Sequence, residues 1–393
     1  MQVNEDKKNS NIAISWSSIY TNVGNKYKQP LTQHSTENVT KYNEWSGVRM
    51  EDYGVQKILS DRVRFVIVCD GHGSVPVKQG RFIGGYECAK FVCLRLQEHI
   101  TQFFSSGRLF NDVHKCITIA FDLTQRELIH EIAIKYSDSK IDGFHFKTEQ
   151  TSNPHFTKKN KLIQDIDILY YHIKPTFPLV EYGTTATLFL VIDNHAYIAS
   201  VGDSDVYCYR NSKKPSSSNI INKNCIVAKV TTEQSVRSEK ERKRIKQRSK
   251  GRCEISQEYF VFEVPHYGKF SIMPSRSFGH YVLSQLGITH KPSIVDFSIH
   301  KNDCFVIGSD GLWERTWIHH AVCKFINEKK TPEEIAIKIS EIIKDETIVL
   351  REHDYYKVPL LIEHLETGNR FAIKQQNLKN IFDNIVYCVI ECE

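Results

Sequence analysis

Apolar runs in this chain repeatedly begin or end at an acid. Phe65-Val66-Ile67-Val68-Cys69 is a continuous apolar run that stops at Asp70-Gly71-His72-Gly73. Five consecutive apolar residues bounded by a turn signal predict a buried strand. The pattern recurs at Cys304-Phe305-Val306-Ile307, followed by Gly308-Ser309-Asp310-Gly311. It recurs in reverse where Asp383-Asn384 precedes the run from Ile385 to Ile390. Between these, the runs from Tyr182 to Ile192 and from Ala196 to Val201 flank Asp193-Asn194-His195, which predicts a hairpin. Gly202-Asp203-Ser204 then closes the second run with another acid, and Val206 to Tyr209 resumes as a strand. The short patch from Ile12 to Trp16 alternates like an edge strand.

Helical spacing dominates elsewhere. Residues 80–104 and 111–136 place apolar side chains at mixed three- and four-residue intervals, predicting two long helices layered on a sheet. Thr331-Pro332-Glu333-Glu334 is a helix start for 331–350: a cap, a proline at the first position and acids in the first turn. Ser275-Arg276-Ser277-Phe278-Gly279-His280 reads as a loop, with Arg276 a structural hydrogen-bond donor. Residues 137–178 and 351–380 read as surface insertions, and 1–45 as an N-terminal extension to one domain over 46–393.

Composition narrows the class without naming a function. At 393 residues, 40% hydrophobic and 25% charged, the chain is that of a globular protein. A net charge of +6 favours an acidic or phosphorylated partner and does not call for nucleic acid. The 11 cysteines lack Cys-x-x-Cys pairing, so buried free thiols are expected rather than disulfides or zinc. No apolar stretch has the length of a signal core or membrane span, which gives the expectation of a cytoplasmic protein that does not engage a membrane. From Arg237 to Arg252, nine of sixteen residues are Lys or Arg. That run suits a nuclear localisation signal or an anion-binding face; Glu239, Glu241 and Ile245 make a solvated helix the better fit.

The strand-end acids carry the candidate chemistry. A short carboxylate on a rigid element, such as Asp70, suits a hard cation like Mg²⁺ or Mn²⁺. Gly71 lets its own carbonyl approach the same ion, and His72 titrates near neutral pH two residues away. Three strand-end aspartates far apart in sequence can converge on one rim of a β-core, where they would form a metal cluster.

Taken in order, Met50-Glu51-Asp52, Asp70-Gly71-His72-Gly73, Gly183-Thr184-Thr185-Ala186 with Gly202-Asp203-Ser204, Ser275-Arg276-Ser277-Phe278-Gly279, Ser309-Asp310-Gly311-Leu312-Trp313 and Asp383-Asn384 resemble the metal-dependent protein phosphatases of type 2C. The resemblance spans about residues 46–390. It implies an α+β fold, a four-layer αββα sandwich of two mainly antiparallel β-sheets flanked by helices. It implies two Mn²⁺ or Mg²⁺ ions bridged by Asp70. Asp310 and Asp383 would complete one ion's ligands, with Glu51 and the Gly71 carbonyl serving the other. His72 matches the family's candidate general acid, and Asp203 a ligand of a weaker third metal, a role Glu314 could share. The implied substrates are proteins phosphorylated on serine or threonine.

Several positions depart from that pattern. The family's phosphate-binding arginine falls at Gly47, with Arg49 as the substitute, shifted by two and so on the same face of a strand. Asp205 stands in place of an arginine, His280 in place of an acid, and Glu233-Gln234 in place of Asp-His. No metal carboxylate is lost, so an active serine/threonine phosphatase is the expectation. The alternative is a silent, phosphatase-like adaptor. Asp52, Thr184 and Thr185 are expected to be structural, Asp52 because it would face away from Glu51 on a strand.

Overall fold

The structure is a computed structural model describing residues 12–22, 51–73, 75–77, 81–137, 182–211, 225–264, 268–315, 317–344, 360–364, 370–373 and 385–392. Its main strands are β1 (Ile14–Trp16), β2 (Tyr20–Asn22), β3 (Tyr53–Ser60), β4 (Val63–Cys69), β5 (Ala186–Ile192), β6 (His195–Val201) and β7 (Asp205–Asn211). They continue with β8 (Cys225–Lys229), β9 (Ser293–Ser298), β10 (Asp303–Gly308), β11 (Leu360–His364), β12 (Arg370–Ile373) and β13 (Ile385–Cys392). The longer helices are α1 (Gly85–Ser105), α2 (Val113–Ser137), α3 (Glu239–Ser249), α4 (Trp317–Asn327) and α5 (Pro332–Lys344).

Two sheets result. The first runs β9-β6-β5-β4-β3 and is antiparallel throughout. The second runs β1-β13-β10-β7-β8-β11-β12, with β2 also on β13. Only its β8–β11 pairing, among the described strands, is parallel. The apolar runs are continuous because their strands are covered on both faces. In β4, Phe65, Ile67 and Cys69 face α1 and α2, whereas Val66 and Val68 face the second sheet. In β13, Tyr387 and Val389 face α4 and α5, whereas Val386, Cys388 and Ile390 face the first sheet. Each fully buried aliphatic or aromatic side chain of this kind contributes roughly 1.5–3 kcal/mol. Three apolar layers therefore separate four layers of structure: helices, sheet, sheet, helices. This is the αββα sandwich of the sequence expectation.

Local differences have local causes. The first long helix starts at Gly85 rather than 80, because Gly84 adopts φ 127° and breaks the helical path. Residues 81–83 instead pair with 75–77 as a small hairpin. Helix α5 begins as read: Thr331 Oγ1 accepts from the Glu334 N–H and the Glu334 carboxylate accepts from the Thr331 N–H, a capping box. Part of the expected extension, at β1 and β2, pairs with β13, and part of 351–380 forms β11 and β12. The apolar island at 163–171 lies outside the described residues.

Candidate active site

Strand β4 delivers Asp70 to the end of the first sheet, where its backbone is held on both sides. The Asp70 N–H donates to Thr185 Oγ1 at 3.0 Å, and its carbonyl accepts from the Thr185 N–H and Thr184 Oγ1, both at 2.8 Å. Thr185 Oγ1 lies 2.7 Å from Ser204 Oγ, and Thr187 Oγ1 donates to the Ser204 carbonyl at 2.6 Å. The threonine run thus locks Asp70 to the Gly202-Asp203-Ser204 turn. Thr184 and Thr185 take the expected structural role, holding the backbone at Asp70.

The backbones of Glu51 and Gly71 lie side by side. The Gly71 N–H donates to the Glu51 carbonyl at 3.2 Å. A Cβ at Gly71 would overlap the Gly85 carbonyl, and one at Gly85 would lie 2.8 Å from Glu51 Oε1. No side chain fits between these three backbones, so the glycines are what let the Glu51 carboxylate lie against the Asp70-Gly71 turn. Asp52 is buried beside Glu51 but precedes β3 instead of lying within it, so the expected alternation of strand faces does not apply to the pair.

Asp203 and Asp310 form a second acidic group. Burial, then the charges of Asp310, Asp205 and Glu233, hold the Asp203 carboxyl well above the usual carboxylate range. Asp310 opens a one-turn helix after β10, and its neighbour Ser309 is stitched to β13. The Ser309 N–H donates to the Val386 carbonyl at 3.0 Å, and Ser309 Oγ accepts from the Val386 N–H at 3.1 Å. Glu314 closes that turn by donating its N–H to the Asp310 carbonyl at 2.8 Å. Arg49, Gly47 and Asp383 lie outside the described residues. Among the described residues no three His, Cys, Asp or Glu side chains form a metal-holding group. The donor chemistry nevertheless fits hard divalent cations: carboxylates and a backbone carbonyl, crowded where like charge is otherwise unfavourable.

His72 is bound on both ring nitrogens. Nδ1 shares a hydrogen bond with His280 Nε2 at 2.9 Å, the rings 16° from parallel with centroids 4.7 Å apart. Nε2 lies 3.3 Å from Ser277 Oγ. His280 is fully buried at φ 42°, and a Cβ on Gly183 would collide with its ring.

The other substituted positions have clear roles. Asp205 pairs with Lys229 at 2.7 Å and accepts from Thr231, which turns it away from any phosphate role. Gln234 accepts from the Gly202 N–H at 2.8 Å and donates to the Ser200 carbonyl at 2.9 Å, so it sets the turn carrying Asp203. The sequence marks Gln234 only as a departure from a motif; the lone signal of a structural role is its place after a strand end. Arg276 is a structural donor as expected, binding both carboxylate oxygens of buried Glu241 and the Lys291 carbonyl. Glu241 also takes Arg244 at 2.6 Å and Ser275 Oγ at 2.8 Å. Burial would raise this carboxyl, but hydrogen bonds and charge from Arg276 and Arg244 more than offset that and bring it to about 2.

Residues 126–349 match the protein-family model of protein phosphatase 2C. That match includes Asp203 and Asp310 and stops short of Glu51, Asp70 and Asp383. Among solved structures, the chain is similar to a serine-threonine phosphatase 2C from Toxoplasma gondii. The TM-score is 0.57 and the identity 11%, covering 98% of this chain and 96% of that one. It is also similar to a sex-determining protein of C. elegans, with TM-score 0.52, 14% identity, and coverage of 98% of this chain and 65% of that one. No curated protein matches the sequence. At such identities the likeness to solved structures is one of fold.

Proposed function

Because the chain belongs to the protein phosphatase 2C family, we propose that it hydrolyses phosphoserine and phosphothreonine in proteins, using two Mn²⁺ or Mg²⁺ ions. The observation that carries this reading is the packing of Glu51, Asp70 and Gly71. Backbone hydrogen bonds and two glycines with no room for a side chain put two acids and a carbonyl at one strand end. Asp70 and Asp310, with Asp383, would hold one cation; Asp70, Glu51 and the Gly71 carbonyl would hold the other; Asp203 suits a weaker third. When bound, the cations acidify water and offset charge on the phosphoryl oxygens.

The protein's own residues do the rest. Thr184, Thr185 and Gln234 fix the spacing of the two acidic groups before substrate arrives, so little reorganisation accompanies reaction. A serine or threonine alkoxide is a poor leaving group, and His72 would protonate it. His280, hydrogen bonded to Nδ1, holds the ring and assigns its proton to Nε2 when it donates. Arg49 is the proposed phosphate-binding cation.

The test is hydrolysis of a phosphothreonine peptide by chelator-stripped protein titrated with Mn²⁺ or Mg²⁺. Activity should appear with metal. Asp70→Ala should lower it by more than about 100-fold, beyond the cost of losing a group that merely orients a ligand, while the circular dichroism spectrum stays native. Near-normal turnover by that variant would refute the assignment.

A further inference from the structure

The charge of this protein is concentrated in one place. The run from Arg237 to Arg252 holds nine Lys or Arg against two acids, whereas the whole chain carries +6, so the remainder is close to neutral. Most of that run is α3, a helix with Glu241, Ile245 and Ser249 as its buried stripe. Lys240, Lys243, Lys246 and Lys250 are exposed, spaced by three, three and four residues on the opposite side. The two acids leave this face cationic. Glu241 is buried and taken up by Arg244 and Arg276, and Glu239 pairs with Lys243. Among the described residues no acid forms an ion pair with Lys240, Lys246 or Lys250.

The helix leaves directly from the wall of the candidate site. Gln234 holds the turn that carries Asp203, and Glu233 lies within electrostatic reach of both Asp203 and Arg237. Inside the helix, Glu241 grips Arg276, whose neighbour Ser277 reaches His72. At 11 residues α3 is about 16 Å long. An extended peptide covers that distance in roughly five residues. No apolar or aromatic side chain interrupts Lys240, Lys243, Lys246, Gln247 and Lys250, which a lipid surface or a single-stranded nucleic acid would call for.

We propose that this lysine face is a docking strip for anionic residues, carboxylate or phosphorylated, flanking the phosphoresidue in the substrate polypeptide. The preferred substrate is then an acidic or multiply phosphorylated segment. The inference rests on the phosphatase reading for the chemistry, while the docking itself can be tested apart from it.

The experiment uses the full chain with Mn²⁺ and phosphothreonine peptides that carry either glutamates or glutamines four to eight residues from the phosphate. Wild type and a Lys240→Glu/Lys243→Glu/Lys246→Glu variant are compared by turnover and by fluorescence anisotropy, with a small aryl phosphate as control. Wild type should favour the acidic peptide by about 10-fold, chiefly through KM, with the preference shrinking as salt rises. The variant should lose that preference while its aryl phosphate turnover stays within about 2-fold of wild type. Equal handling of the two peptides by wild type, or a preference that survives in the variant, overturns the proposal. So does wild-type binding to duplex RNA or anionic vesicles that the variant loses without any change in peptide preference. If wild type turns over neither peptide nor aryl phosphate but binds the acidic peptide more tightly than the variant does, the phosphatase reading fails and the strip stands.

Discussion

At the scale of single residues, the contact between His72 and His280 bears most directly on chemistry. With Nδ1 held by His280 at 2.9 Å, the proposed general-acid role falls to Nε2, which would exchange its 3.3 Å contact with Ser277 Oγ for the leaving group. General-acid help matters in proportion to how badly the leaving group needs a proton. His72→Gln should therefore slow phosphoserine peptide hydrolysis about 100-fold and aryl phosphate hydrolysis less than about 10-fold. Equal losses on both substrates would remove His72 from that role. Asp70, His72, Glu51 and Asp310 stand out in the sequence because each sits in a short motif beside a strand. The residues that position them are less so. Gln234 and His280 act through contacts made across the fold, to Gly202 and to His72, and sequence distance hides such contacts.

At the scale of elements, strands β4, β5, β10 and β13 were the most legible, since cover on both faces writes a continuous apolar run into the sequence. The sheet strands at 253–255, 260–264 and 268–272 were missed, although Phe260, Phe262 and Val264 alternate inward. Strands β11 and β12 were missed as well: their 351–380 stretch has no long apolar run, as suits strands at the margin of a sheet. Helix α3 was legible as a basic helix. Its buried Glu241 was not, because an acid among nine cations looks like one more solvated charge. That clamp has a pH signature. A carboxyl whose folded pKa is depressed to about 2 stabilises the fold above its ordinary value of 4.5 and loses the effect as pH falls toward 2. Glu241→Gln should cost about 3 kcal/mol at neutral pH. In urea unfolding, the gap between variant and wild type should close as pH is lowered from 4.5 toward 2; a gap of constant size would show that the clamp acts through packing alone.

At the scale of the whole molecule, the sheet-to-sheet interface decides whether the layers act as one unit. Phe189 is fully buried there, its ring 5.1 Å from that of Phe305 and edge-on to Trp16 at 6.2 Å. Phe189→Ala should cost about 3–5 kcal/mol. If the layers unfold together, it should shift a single transition rather than split it; two resolved transitions would show that the sheets melt apart. The layering itself was legible only through the family resemblance. Apolar runs reveal that a strand is covered twice and leave open whether helix or sheet does the covering.

The placement of β13 reaches beyond the finished fold. This strand lies between β1 and β2 on one side and β10 on the other, with Ile14 opposite Cys392 in the register. On a ribosome every neighbour of β13 emerges before it does. Until residue 392 has left the exit tunnel, the second sheet is two open edges facing a gap, a surface that invites pairing with other chains. Contacts this distant in sequence also form slowly. The edges of β1, β2 and β10 that face β13 therefore stay open until β13 itself is available to pair. Ser309, which anchors the Asp310 turn to Val386, gains its partner only at the end of that wait. Until β13 is in place, the turn that carries Asp310 has no anchor on that side.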